Sequence, residues 1–224
     1  MAPRLNIALK AVLVALIATA LVFGESERFS DKAMGARAIA YPLLCAIPAA
    51  IWWAARRRHA GLAYPHLADA LVTSSFIVDL GGNALDLFDR LTWFDDAAHF
   101  TNWLLLGLAL GITIRRGRRA FELVWLVTGA GAVAAILWEL AEYQSFVQKV
   151  EQLGIYRDTV GDLCLGTSGA LIAGLIIVGV PKFVGDTSLS DVPATNVGFG
   201  GGSAPSNLGA TGPDDPGGVD RPRR

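Results

Sequence analysis

Six apolar stretches dominate this chain: residues 5–23, 38–55, 67–85, 97–114, 121–143 and 160–180. A bilayer core ~30 Å thick is crossed by about 20 residues of α-helix. Each stretch is close to that length, so the sequence predicts an all-α fold: a polytopic bundle of six transmembrane helices. Composition agrees. The chain is 53% hydrophobic and 17% charged, where a soluble domain carries about 25% charged residues. The formal net charge of −1 offers nothing to a nucleic acid. Cys45 and Cys164 lie inside apolar stretches, with no metal spacing or disulfide framework around them. Both are read as small buried hydrophobes.

The first stretch follows Arg4 and resembles a signal peptide in outline. Its small residues Ala18 and Ala20 lie inside the apolar run rather than after it, and Lys10 interrupts its start. A retained helix is expected. Basic residues then set the orientation. Arg56, Arg57 and Arg58 form one connection, and Arg115, Arg116, Arg118 and Arg119 another. Six alternating helices put both on one side, together with both chain ends. The expected location is the bacterial inner membrane, with cytoplasmic amino and carboxyl termini. Residues 1–184 form the transmembrane domain. Residues 185–224 are rich in Gly, Pro, Ser and Asp, which bury too little to offset ordering entropy, so a disordered cytoplasmic tail is expected.

Small residues crowd the fifth and sixth stretches, among them Gly129, Gly131, Gly166, Gly169 and Gly174. Such residues let helix backbones approach closely in lipid. Pro42 and Pro48 are expected to bend the second span.

Charge inside the apolar stretches is costly and marks function. Asp79, Asn83 and Asp86 recur at helical spacing, so they are expected on one face of span three. Span four opens with Asp95 and Asp96, three and four residues before His99, within reach of its imidazole. Glu139 and Glu142 close span five, where two carboxylates three apart repel unless a proton or cation lies between them. Asp158 and Asp162 open span six, with Arg157 as a partner for one of them. The candidate site residues are therefore Asp95, Asp96, His99, Glu139, Glu142 and Asp162, supported by Asp79, Asn83, Asp86 and Arg157. All belong to the outward ends of their spans and are expected to line one pocket. An oxygen-rich set with one histidine suits a divalent metal, with His99, Glu139, Glu142, Asp158 and Asp162 as ligands. A metal-free network sharing protons fits the same residues.

Asp79-Leu-Gly-Gly-Asn83, Asp95-Asp-Ala-Ala-His99-Phe, Trp138-Glu-Leu-Ala-Glu142 and Asp158-Thr-Val-Gly-Asp162 resemble the YjdF-like inner-membrane proteins of bacteria, over roughly residues 67–177. That resemblance implies an inner-membrane location and a polar site, and no reaction. A looser similarity runs to VanZ-like proteins, linked to glycopeptide-antibiotic tolerance. Here Asp96 precedes Ala where that pattern has Lys, and Glu142 stands where it has Gln. Gly166-Thr-Ser-Gly169 is similar to the Gly-x-Ser-Gly of rhomboid proteases. No histidine follows Ser168 to serve as its base, so tight helix packing is expected there.

Three function classes follow: a metal-assisted enzyme on a lipid or cell-envelope substrate, a small-solute or proton-coupled transporter, and a binding or structural membrane protein. Membrane lipids are the expected partners in each. The oligomeric state is left open.

Overall fold

A computed structural model describes residues 2–30, 32–145 and 154–180. The expectation for the tail falls outside them. They lie within one compact unit, Met1–Pro193. Among the described residues, eight helices run in order: α1 (Ala2–Val22), α2 (Met34–Cys45), α3 (Ile47–Arg56), α4 (His66–Ala84), α5 (Leu87–Arg90), α6 (Phe94–Ile114), α7 (Ala120–Ser145) and α8 (Ile155–Gly179). No strand occurs among the described residues.

Among the described residues, five spans are long and apolar enough to cross a membrane: α1, α2 with α3, α6, α7 and α8. The sixth expected span, α4, has the length but not the apolarity. It is covered by protein instead, and Asp69, Thr73, Ser75, Asp79 and Asn83 are among its buried residues. Large apolar side chains elsewhere face outward, including Ile7, Val14, Val22, Phe121, Val133 and Leu137. In water such a surface would be an aggregation liability. In hydrocarbon it faces its proper solvent.

The second span breaks between α2 and α3 at Ala46, just before the residue preceding Pro48. Proline lacks the amide proton that would continue the ladder and crowds the preceding turn. The expected bend is therefore a helix boundary.

Two apolar clusters hold the bundle together. Leu13, Ala20, Tyr41, Cys45, Phe76 and Leu80 join α1, α2 and α4. Leu108, Ile112, Leu123, Val127, Ala173 and Ile177 join α6, α7 and α8. The second cluster depends on small residues. A methyl group at Gly107 would meet Ala173 Cβ at 2.8 Å, and one at Gly174 would meet the Val124 backbone at 3.1 Å. At Gly169 it would strike the Phe100 carbonyl oxygen. The Gly-Thr-Ser-Gly segment is thus a packing surface, and Ser168 itself is exposed. Helix α4 runs unbroken through Gly81 and Gly82 to Ala84. Gly82 makes room for the rings of Phe88 and Phe94.

Candidate functional site

The starts of α2, α6 and α8 meet the ends of α4 and α7, and the charged residues of these helices converge there. His99 lies one turn into α6, with its side chain about nine-tenths buried. Three carboxylates from three helices approach its ring. Asp95 Oδ1 and Asp162 Oδ1 each lie 3.8 Å from Nε2, and Glu139 Oε1 lies 3.8 Å from Nδ1. These separations exceed a hydrogen bond. Two overlapping groups result, Asp95–His99–Asp162 and His99–Glu139–Glu142, each with its ligand atoms within 4.8 Å of one another.

Beside this centre stands a buried arginine. Arg37 Nη1 donates to both Asp79 oxygens, at 2.6 and 2.5 Å, and to Tyr41 Oη at 2.9 Å. Its Nη2 donates to Glu142 Oε1 at 3.3 Å, and its Nε to the Lys32 carbonyl at 3.0 Å. Tyr41 Oη in turn donates to Asp79 Oδ2 at 2.5 Å. The Trp138 ring lies 5.8 Å from the guanidinium carbon. Arg37 therefore clips α2 to α4 and α7, and it offsets the charge of Asp79 and Glu142. The hydroxyls of Thr73, Ser74 and Ser75 donate to helix carbonyls one turn back rather than to Asp79.

Not every expected residue joins. Asp86 lies beyond the end of α4, in a left-handed turn with φ 60°. It does not continue the face of Asp79 and Asn83, because the helix stops at Ala84. Asp96, Arg157 and Asp158 are exposed, and neither aspartate belongs to the two ligand groups. The arginine that serves this centre comes from α2, not from α8. Asn83 is buried, and its amide donates to the Asp79 carbonyl. Asn102, one turn below His99, buries an Oδ1 that accepts no hydrogen bond.

Sequence reasoning missed Arg37 and Tyr41. The signal was present: they are four apart and so share one face of a helix. It also missed a second polar cluster at the opposite end. Asp69 Oδ2 accepts from Asn6 Nδ2 at 2.7 Å, Lys10 Nζ at 2.7 Å and Tyr64 Oη at 2.5 Å. Burial and the Asp69 carboxylate beside it push the Tyr64 phenol above its usual range, so it stays a neutral hydroxyl.

What these elements define is a class: an α-helical integral membrane protein with a buried histidine–carboxylate centre at one end of its bundle. Within that class, the chain belongs to the predicted membrane protein family DUF2238, whose model matches residues 8–182. No curated protein matches the chain, and no solved structure does.

Proposed function

We propose that the His99 centre binds one divalent cation and that the protein is a metal-assisted membrane enzyme acting on a lipid or cell-envelope substrate. One observation carries the reading: three carboxylate oxygens stand around a single imidazole at 3.8 Å, without a hydrogen bond to it. Ligands each about 2.1 Å from one ion stand roughly 3.0–3.5 Å apart. The Asp95, His99 and Asp162 atoms lie within 4.8 Å of one another, so side-chain rotation toward an ion would have to close that set.

Of the two groups, Asp95–His99–Asp162 fits better. In the other group, Glu142 is already held by Arg37. Nε2 would then ligate the metal, and Nδ1 would donate to Glu139 and fix the tautomer, as carboxylates commonly do behind a metal-bound histidine. A bound ion supplies a polarised oxygen or an activated water. Glu139, 3.8 Å from the ring, is placed to hold or move a proton beside it. The resemblance to YjdF-like proteins rests on these same helices and suggests a bacterial inner-membrane setting. The basic connections at 56–58 and 115–119 favour cytoplasmic termini, which puts this centre on the outer face.

Elemental analysis of detergent-purified protein tests the reading. One equivalent of Mg²⁺, Mn²⁺, Ca²⁺ or Zn²⁺, lost in His99→Ala and Asp162→Asn, is the expected result. Absence of bound metal, with no rise in melting temperature on adding any of these ions, would overturn it in favour of a proton-sharing network.

A second reading, a cation-coupled carrier, is favoured by one observation. Helix α4 carries buried carboxylates near both ends, Asp69 and Asp79, about 15 Å apart along its axis.

A further inference from the structure

At the opposite end of the bundle from His99, Asp69 is fully buried, and its two oxygens are treated very differently. Oδ2 accepts three hydrogen bonds, from Asn6, Lys10 and Tyr64. Oδ1 is buried and accepts none. Asn6 is also buried, and its Oδ1 likewise has no partner. The Asn6–Asp69 hydrogen bond joins the two residues that carry the unsatisfied oxygens. Turning the amide over does not help, because its oxygen would then face the carboxylate. Buried acceptors normally find partners. Two on one hydrogen-bonded pair of side chains point to a positively polarised occupant.

We propose that Asp69, Asn6 and Tyr64 form a binding site for a monovalent alkali cation, of the size and hardness of Na⁺, which exchanges with the Lys10 ammonium. The oxygens available are both carboxylate oxygens of Asp69, Asn6 Oδ1 and Tyr64 Oη. An all-oxygen set of this kind suits a hard cation. Charge selects the valence. One carboxylate balances one positive charge, and a divalent ion would leave an uncompensated charge beside a buried helix. Lys10 supplies that positive charge at 2.7 Å, but its side chain is 42% exposed while Asp69 is fully enclosed. It is the ninth residue of α1 and has a flexible stem, so the ammonium can swing off the carboxylate and snorkel along the helix. Exchange keeps the site's charge constant. The site stands independently of the His99 centre and of any metal bound there.

The test uses the full chain in detergent, with EDTA present to silence divalent sites. Melting temperature is measured as Na⁺ replaces choline at constant ionic strength, alongside ²²Na⁺ binding. A saturable rise with Na⁺ is expected. Lys10→Met, which removes the competitor, should lower the half-saturating Na⁺ concentration about tenfold. Asn6→Leu should abolish ²²Na⁺ binding. Equal stability in Na⁺ and choline for both wild type and Lys10→Met would overturn the proposal. So would a Lys10→Met protein that fails to fold at any Na⁺ concentration, since Lys10 would then be a structural ion-pair partner only.

Discussion

Arg37 and Asp79 form a buried ion pair at the His99 end, with one guanidinium nitrogen 2.6 and 2.5 Å from the two carboxylate oxygens and both side chains almost enclosed. Breaking such a pair from one side leaves a buried charge without a partner, at a cost of about 3–5 kcal/mol. Arg37→Met should therefore lower stability by that order in detergent unfolding. Removing both charges in Arg37→Met/Asp79→Leu should recover part of the loss. Equal damage in the single and double variants would mean that the pair is not the source of the effect.

Tyr41→Phe makes a milder change at the same place. It removes the hydroxyl that donates to Asp79 and accepts from Arg37, and keeps the ring that packs on Phe76. A loss of about 1–3 kcal/mol is expected, with no loss of bound metal. A Tyr41→Phe protein that lost its metal would place the phenol in the ion's own environment.

The glycines divide by what surrounds them. A methyl at Gly169 meets backbone atoms of Phe100 and Leu104, which cannot rotate away, while one at Gly129 meets nothing within 4 Å. Gly169→Ala should cost about 1–3 kcal/mol through overpacking. Gly129→Ala should stay within about 1 kcal/mol of wild type. Thermal unfolding of the two proteins side by side decides this, and equal melting temperatures would contradict the packing of α6 on α8.

Much of the fold was legible because lipid imposes a length and an apolarity that sequence displays directly. The acids of α6, α7 and α8 were legible for the same reason: Glu139 or Asp162 is conspicuous in an apolar window. Arg37, Asn6 and Asp69 were harder to see. Each sits near a helix end, where a polar residue reads as an interfacial side chain, and its partner lies far away in sequence. Asn6 meets Asp69 across 63 residues and Arg37 meets Glu142 across 105. Spacing within one helix cannot reveal such pairs. Asp86 failed differently. Its helical spacing from Asp79 was correct, but the chain leaves the helix at Leu85, and periodicity alone does not locate that exit.

The orientation rests on charge and is checked by labelling. Single cysteines at Arg57 and Arg118 should resist an impermeant thiol reagent in intact cells, and one at Gln152 should react. Reaction at both arginine positions would invert the bundle and turn the His99 centre toward the cytoplasm.

The pH dependence of metal binding has a definite sign. Carboxylate and imidazole ligands must be deprotonated to bind, so affinity should fall as pH falls. Titrating Mn²⁺ into the protein over a range of pH values checks this. Binding that strengthened on acidification would exclude His99 and its carboxylates as the ligands.

If His99 ligates the proposed ion, pulsed EPR of the Mn²⁺-loaded protein should detect its imidazole nitrogen. Nitrogen coupling from one imidazole is expected in the wild type and in His59→Ala and His66→Ala, and it should vanish in His99→Ala. Bound Mn²⁺ without imidazole coupling, or coupling that survives His99→Ala, would contradict the account.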